Sequence, residues 1–258
     1  MKFTFRLAAF ALAATAGIAS ADNSLRFGIE AEYPPFESKN AAGQLEGFDV
    51  DLGNAICAKA KLKCTWVENA FDSLIPALQA KKFDAINSAM NATDKRREAI
   101  DFTDTIYRIP TQLIGKAGSK MAPTAEGLKG KNVGVLQGSI QETFAKTHWE
   151  PHGVTVTAYK DQNMVYADLA SGRLDATLVM AAAGQAGFLS KPEGKGYAFI
   201  GAAVKDDKIL GSGIAFGLRK GDDAHKKQLN AAIAEVKKDG TVAKLAKKYF
   251  SGFDVTVK

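Results

Sequence analysis

The chain has 258 residues, 46% of them apolar and 24% charged, with 34 Lys and Arg against 28 Asp and Glu, a net charge of +6. That balance excludes a disordered polymer, a collagen-like repeat and a polytopic membrane protein. The length allows one large core or two medium ones, and the basic excess is too small and too scattered for a nucleic-acid binder.

Met1–Arg6 carries two positive charges, Lys2 and Arg6, and precedes an uncharged apolar run, Leu7–Ala19, that ends in Ala19-Ser20-Ala21. A basic start, a short apolar run and small residues at −3 and −1 predict a secretory signal over 1–21, cleaved after Ala21, and a mature chain in the periplasm. The run falls short of the roughly 20 apolar residues that a membrane span needs. Without Lys2 and Arg6, the 34 basic residues become 32 against 28 acidic, a net charge of +4. Cys57 and Cys64 lie close together, with no further Cys and no nearby His to complete a metal site. In an oxidising compartment such a pair predicts a disulfide. No metal and no cofactor is expected.

Leu25–Ile29 alternates like a strand and runs into Glu32-Tyr33-Pro34-Pro35-Phe36, where the prolines end regular structure. Phe48–Leu62 has helical spacing, with Val50, Leu52, Ile56 and Ala60 mostly on one side. A strand over Cys64–Val67, a helix over Phe71–Lys81, a strand over Phe83–Asn87 and a Thr-capped helix over Thr93–Ala99 follow. The pattern then restarts with a strand at Lys131–Leu136 and a helix at Ile140–Lys146. A strand at Val154–Ala158, a helix at Asn163–Ser171 and a strand at Leu174–Val179 complete it. The segment Leu78–Ala85 recurs as Leu169–Ala176, each reading as a helix end, a turn and a strand start. With the matching order of elements, this echo predicts two similar α/β lobes with parallel sheets. The last part adds a strand at Gly213–Leu218, a helix capped by Asp222-Asp223 and a helix over Thr241–Phe250. Lys244, Lys247 and Lys248 on that final helix read as a solvated face, or as a docking surface for a membrane partner.

No nucleotide-binding signature is present: Gly134–Ser139 lacks the lysine and spacing of a phosphate loop. It does carry a strand into a helix N-terminus, where backbone amides can hold a carboxylate. Asn91–Arg96 repeats that arrangement and adds Arg96, whose forked guanidinium grips carboxylates in pairs of bonds. His148 and His152 flank Trp149 and Pro151; the proline prevents a helical metal pair, so both read as surface histidines. No nucleophile elbow and no Ser-His-Asp set is evident.

Gly47–Cys57 (GFDVDLGNAIC) resembles the signature of the family 3 extracellular solute-binding proteins, the amino-acid receptors of ABC importers. Glu32–Glu37, Cys64–Trp66, Phe71–Pro76, Thr93–Arg96, Gly134–Ser139, Gly172–Ala176, Gly217–Lys220 and Asp239–Thr241 are similar to segments of the lysine/arginine/ornithine and histidine receptors. The resemblance runs from about residue 25 to residue 250. It implies an α/β fold, the two-lobed periplasmic binding protein of the type II Venus-flytrap kind, with a two-strand hinge. The implied layout is lobe 1 over 22–109 and 212–258 and lobe 2 over 110–211, with crossings near Ile109–Pro110 and Leu210–Gly211. A monomer that docks transiently on an inner-membrane ABC permease is implied as well.

Carried over position by position, the resemblance places Arg96 on the ligand α-carboxylate and Ser88, Ala89 and Asn91 as lobe 1 contacts. Leu136, Ser139, Ile140 and Gln141 line the facing helix N-terminus, and Tyr33 and Phe71 sandwich the ligand side chain. Glu30 falls where basic-amino-acid receptors place an Asp that meets the cationic end, and reaches roughly 1.5 Å further. Met180, followed by three alanines, stands where those receptors carry the Asp that binds the α-ammonium, and Ile140 replaces a hydroxyl residue. A buried ammonium without a counter-charge is penalised. Three ligand classes follow: a basic amino acid whose amine is met by Ser88, water or another carboxylate; an opine or other amine-modified relative, whose amine is alkylated; or another small solute. Relatives of this fold include cyclohexadienyl dehydratases, but that chemistry needs a general acid in the lobe 2 wall, where Met180–Ala183 has none. A sensor role would make the chain a free protein that also docks a receptor.

Overall fold

Apolar strands separated by one-sided helices bury their apolar faces best as layers, with helices laid over a sheet. In the computed structural model, described over residues 23–250 and at Val255, that layering occurs twice. The expected signal segment and its cleavage site lie outside the described residues. The first half opens with β1 (Ser24–Ile29) and a small antiparallel ribbon of β2 (Glu32–Tyr33), β3 (Glu37–Lys39) and β4 (Leu45–Glu46). α1 (Phe48–Ala60), β5 (Lys63–Glu68), α2 (Leu74–Gln79), β6 (Ala85–Ile86), α3 (Asp94–Ala99) and β7 (Asp101–Phe102) follow. The second half runs β8 (Thr111–Lys116), β9 (Asn132–Leu136), α4 (Ile140–His148), β10 (Thr155–Tyr159) and α5 (Gln162–Ala170). β11 (Ala176–Met180), α6 (Ala181–Gly184), β12 (Tyr197–Ile200) and α7 (Asp207–Leu210) complete it. The chain then returns to the first sheet with β13 (Gly217–Leu218), and α8 (Asp223–Lys238) and α9 (Thr241–Tyr249) pack on α1.

The two sheets have the same plan. Their strand orders are β5-β1-β6-β13-β7 and β10-β9-β11-β8-β12. In each, the first three strands are parallel and the fourth runs antiparallel to both neighbours. That fourth strand adjoins the segment by which the chain passes between sheets. Leu78–Ala85 and Leu169–Ala176 occupy equivalent places in the two halves, and their aspartates do the same work. Asp84 exchanges bonds with Arg26, its carboxylate accepting from the Arg26 amide at 3.1 Å and its amide donating to the Arg26 carbonyl at 2.8 Å. Asp175 does so with Asn132, at 2.9 Å in both directions. Each aspartate thereby locks the start of the third strand beside the first.

Element ends differ from the sequence expectations for local reasons. The helix expected over Phe71–Lys81 divides into a tight 3-10 turn, Phe71–Ser73, and α2, and Lys81 leaves it in the left-handed region at φ 61°. The helix expected to reach Leu62 stops at Ala60, where Lys61 adopts a left-handed cap. The strand expected over Gly213–Leu218 is regular only at Gly217–Leu218, because Ile214 bridges instead to Asn91 and to Tyr107. His148 is half exposed and pairs with Asp206 at 2.7 Å. On α9, Lys248 and Tyr249 both bond the Asp51 carboxylate of α1, at 2.9 and 2.7 Å.

Cys57 on α1 and Cys64 on β5 form a disulfide with Cα atoms 6.2 Å apart, pinning the helix to the edge strand. A loop this short constrains the unfolded chain modestly. Replacing both cysteines by serine should lower unfolding free energy by about 2–3 kcal/mol in urea titrations of the oxidised protein. No change on removing the pair would show that the bridge does not restrain the unfolded chain.

Candidate functional site

In parallel α/β sheets the space beyond the carboxyl ends of the strands is where loops converge. Four such ends meet here. Glu30 follows β1, Ser88–Asn91 follow β6, Gln137–Ser139 follow β9, and Met180 ends β11. Between the two sheets lies a narrow cleft lined by Tyr33, Phe71, Ser88, Ala89, Asn91, Arg96, Leu136, Ser139, Ile140, Gln141 and Met180.

Arg96 is the only charged side chain in that lining. It sits on α3, whose N-cap Thr93 accepts from the Arg96 amide at 3.2 Å. Its guanidinium donates to the Asn91 carbonyl at 2.9 Å and, across the cleft, to the Gly138 carbonyl at 3.0 Å. It lies over the Phe71 ring, 5.4 Å from the centroid. Among the described residues no carboxylate pairs with it. Burial, unopposed by any anion, draws its pKa down to about 10.

The opposite wall is the start of α4. Ser139 caps it, its hydroxyl accepting from the Glu142 amide at 3.1 Å, and Glu142 reaches back to the Gly138 amide at 2.6 Å. This reciprocal arrangement satisfies helix-terminal donors. Gly138 stands at φ +74°, and a Cβ there would come within 2.9 Å of the Asp72 Cα of the other half. Glycine is required on both counts. Gln141 turns away from α4 to donate to the Thr111 hydroxyl at 2.9 Å. Met180 and the three alanines after it are buried, and no acidic group lines this side.

Two further bonds close the halves on each other: Gln137 donates to the Asp72 carboxylate at 2.7 Å and Asn163 to Glu32 at 3.2 Å. Sequence reading passed over Asp72, Gln137 and the Gly138 carbonyl, because surface polar residues and backbone atoms carry no pattern in the chain. Glu30 is placed differently from the other expected residues. It lines an adjoining, more open space with Glu32, Glu68, Lys160 and Asp161. Glu30 is only 4% exposed, its Oε2 has no partner among the described residues, and burial lifts its pKa to about 8, with Glu32 and Asp161 adding to the shift.

Comparison with known proteins matches residues 25–252 to the family described as bacterial extracellular solute-binding proteins, family 3. The chain is 48% identical over 242 residues to the histidine-binding periplasmic protein of Escherichia coli K12, covering 94% of this chain and 93% of that protein. It is 49% identical over 237 residues to the lysine/arginine/ornithine-binding periplasmic protein of the same organism, covering 92% and 91%. A solved structure of an ancestral arginine-binding protein bound to arginine superposes with a TM-score of 0.81 at 34% identity, covering 88% of this chain and 98% of that one. Two sheets of one plan facing a closed cleft, and this likeness along nearly the whole chain, make the protein a member of the family 3 bacterial extracellular solute-binding proteins.

Proposed function

We propose that this chain is the periplasmic substrate-binding protein of an ABC importer and captures a small, carboxylate-bearing solute of the basic amino-acid class. The observation that carries the reading is Arg96: a cleft-lining guanidinium bonded, among the described residues, only to carbonyls and to no anion. A ligand carboxylate supplies the missing charge, and the first turn of α4 adds amide donors opposite it. Tyr33 and Phe71 offer flat faces to a planar or cationic tail. Glu30 receives the tail's cationic end at the outer edge of the cleft. The chain binds and releases without making or breaking bonds, since no lining residue is a candidate general acid placed like the one a dehydratase requires. Export after cleavage behind Ala21, a monomeric state and transient docking on a permease complete the proposal. The passages between sheets near Ile109–Pro110 and Leu210–Gly211 are its hinge, with lobe 2 spanning 110–211.

A second reading of the ligand is favoured by the wall around Met180. Met180, Ile140 and Ala89 present no charge and no side-chain hydroxyl to the cavity, and Ser88 spends its hydroxyl proton on Glu37. A free ammonium there would remain poorly paired. An opine-type ligand, in which the amine of a basic amino acid is alkylated by a carboxylate-bearing group, suits this wall better.

Arg96→Ala should weaken binding of the preferred ligand by 3–5 kcal/mol, on the order of several hundredfold or more. Calorimetry with arginine, lysine, ornithine, histidine, octopine and nopaline measures this, and near-native affinity in the variant would remove Arg96 as the anchor. Met180→Asp should raise affinity for free arginine or lysine relative to octopine and nopaline; movement in the other direction overturns the second reading. The pH dependence follows from three buried carboxyls: Glu30 raised to about 8, Glu37 raised well above its ordinary value and Asp49 raised to about 6, each chiefly by burial. In the unfolded chain they ionise near 4, so unfolding releases protons over that interval and high pH favours it. Ligand-free protein should therefore lose stability as pH rises from about 5 to 8. Glu30→Gln should flatten the upper part of that curve, and an unchanged slope in the variant would show that Glu30 is not held protonated.

A further inference from the structure

Asp49 lies in the first turn of α1, within the segment Gly47–Cys57, and is not itself one of the residues that line the cleft. It is nevertheless completely buried, and every polar atom it has is engaged. Its amide donates to the Phe36 carbonyl at 2.9 Å, and its carbonyl accepts from the Asn87 side chain at 2.8 Å. One carboxylate oxygen accepts from the Ala89 amide at 2.6 Å and the other from the Tyr107 hydroxyl at 2.6 Å.

Both of those partners are informative. Ala89 lines the cleft and stands in the left-handed region at φ 44°, which costs energy for any residue with a Cβ. That kink sets how Ser88 and Asn91, on either side of it, meet the cavity. A charge-assisted bond to the Ala89 amide offsets the cost only while the carboxylate is in place. Tyr107 lies on the outward passage between the sheets, and its backbone bridges Ile214 on the return passage. Ile214 also bridges Asn91, and the Asn91 side chain donates to the Leu210 carbonyl at 2.9 Å. The cleft wall and both passages thus form one hydrogen-bonded unit, and the Asp49 carboxylate is the fork that joins the wall to it.

We infer that Asp49 is a positioning residue for ligand capture, its forked carboxylate holding the Ser88–Asn91 wall in binding shape and tying that wall to the two passages on which the halves close. The inference rests on the reading of the cleft as a ligand site. The groups facing this carboxylate are Tyr107 and Glu37, with Glu30 and Tyr33 beyond them. Glu37 accepts the Ser88 hydroxyl at 2.8 Å, so the wall is held from both sides by buried carboxyls.

The test uses the full mature chain. In the wild type the Ala89 amide proton should resonate far downfield and shift with a midpoint near pH 6 as Asp49 protonates. Asp49→Asn should abolish that titration, move the resonances of Ser88, Asn91 and Ile214 together, and weaken L-arginine binding at least about tenfold by calorimetry with Arg96 intact. Tyr107→Phe removes one hydroxyl, keeps the ring packing, and should give the same pattern of shifts with a smaller loss of affinity, so the test stands if Asp49→Asn does not fold. Wild-type affinity in a folded variant, or shifts confined to α1, would overturn the inference. A wild type that binds none of arginine, lysine, histidine or octopine would instead defeat the ligand reading, while the Ala89 titration and its spread to Ile214 still decide whether the fork acts as described.

Discussion

A guanidinium placed between two sheets, with only carbonyls for partners among the described residues, is the feature to which the other parts of this cleft are fitted. Arg96 is held by carbonyls, one on its own half and one across the cleft at Gly138. Carbonyls orient a cation but neutralise only part of its charge, and the lowered pKa of Arg96 expresses the remaining cost. A carboxylate entering the cleft repays desolvation of both partners with paired bonds. The helix start at Ser139, the left-handed glycine before it and the close approach to Asp72 all bring backbone donors and acceptors to that one point.

Behind the cleft the charge is reversed. Glu30, Glu37 and Asp49 are buried at the back of the same wall, and burial raises each of their pKa values. Carboxyls grouped in this way cannot all ionise. Asp49, with two strong donors, carries the charge near neutrality, while Glu37 accepts from the Ser88 hydroxyl. The Ser88–Asn91 wall is therefore held from behind by Glu37 and Asp49, and the Asp49 carboxylate links it to the passages between the halves.

The same geometry distributes selectivity. On the proposed reading, Arg96 and the helix start would select for a carboxylate, the aromatic faces of Tyr33 and Phe71 for a flat or cationic tail, and the apolar side at Met180 and Ile140 against an exposed ammonium. The apolar side departs from what the resemblance to basic-amino-acid receptors implies, at Met180, which ends β11, and at Ile140, which opens α4, both of them buried.

Local patterns in the chain determined most of the elements and the doubling of the α/β plan. Period-two and helical spacing, Thr and Ser caps and the repeated Leu78–Ala85 segment are short-range signals, and Arg96 beside a cap is legible as an anion grip. The disulfide was legible too, since Cys57 and Cys64 had no other partner. Tertiary structure alone decided which atoms meet across the cleft. The Asp49 fork joins residues 40 and 58 positions away, and Arg96 finds a carbonyl 42 positions on. It also set Glu30 in a neighbouring space rather than in the cavity with Arg96. Such pairings arise when two sheets pack face to face, and no spacing within a single segment encodes them.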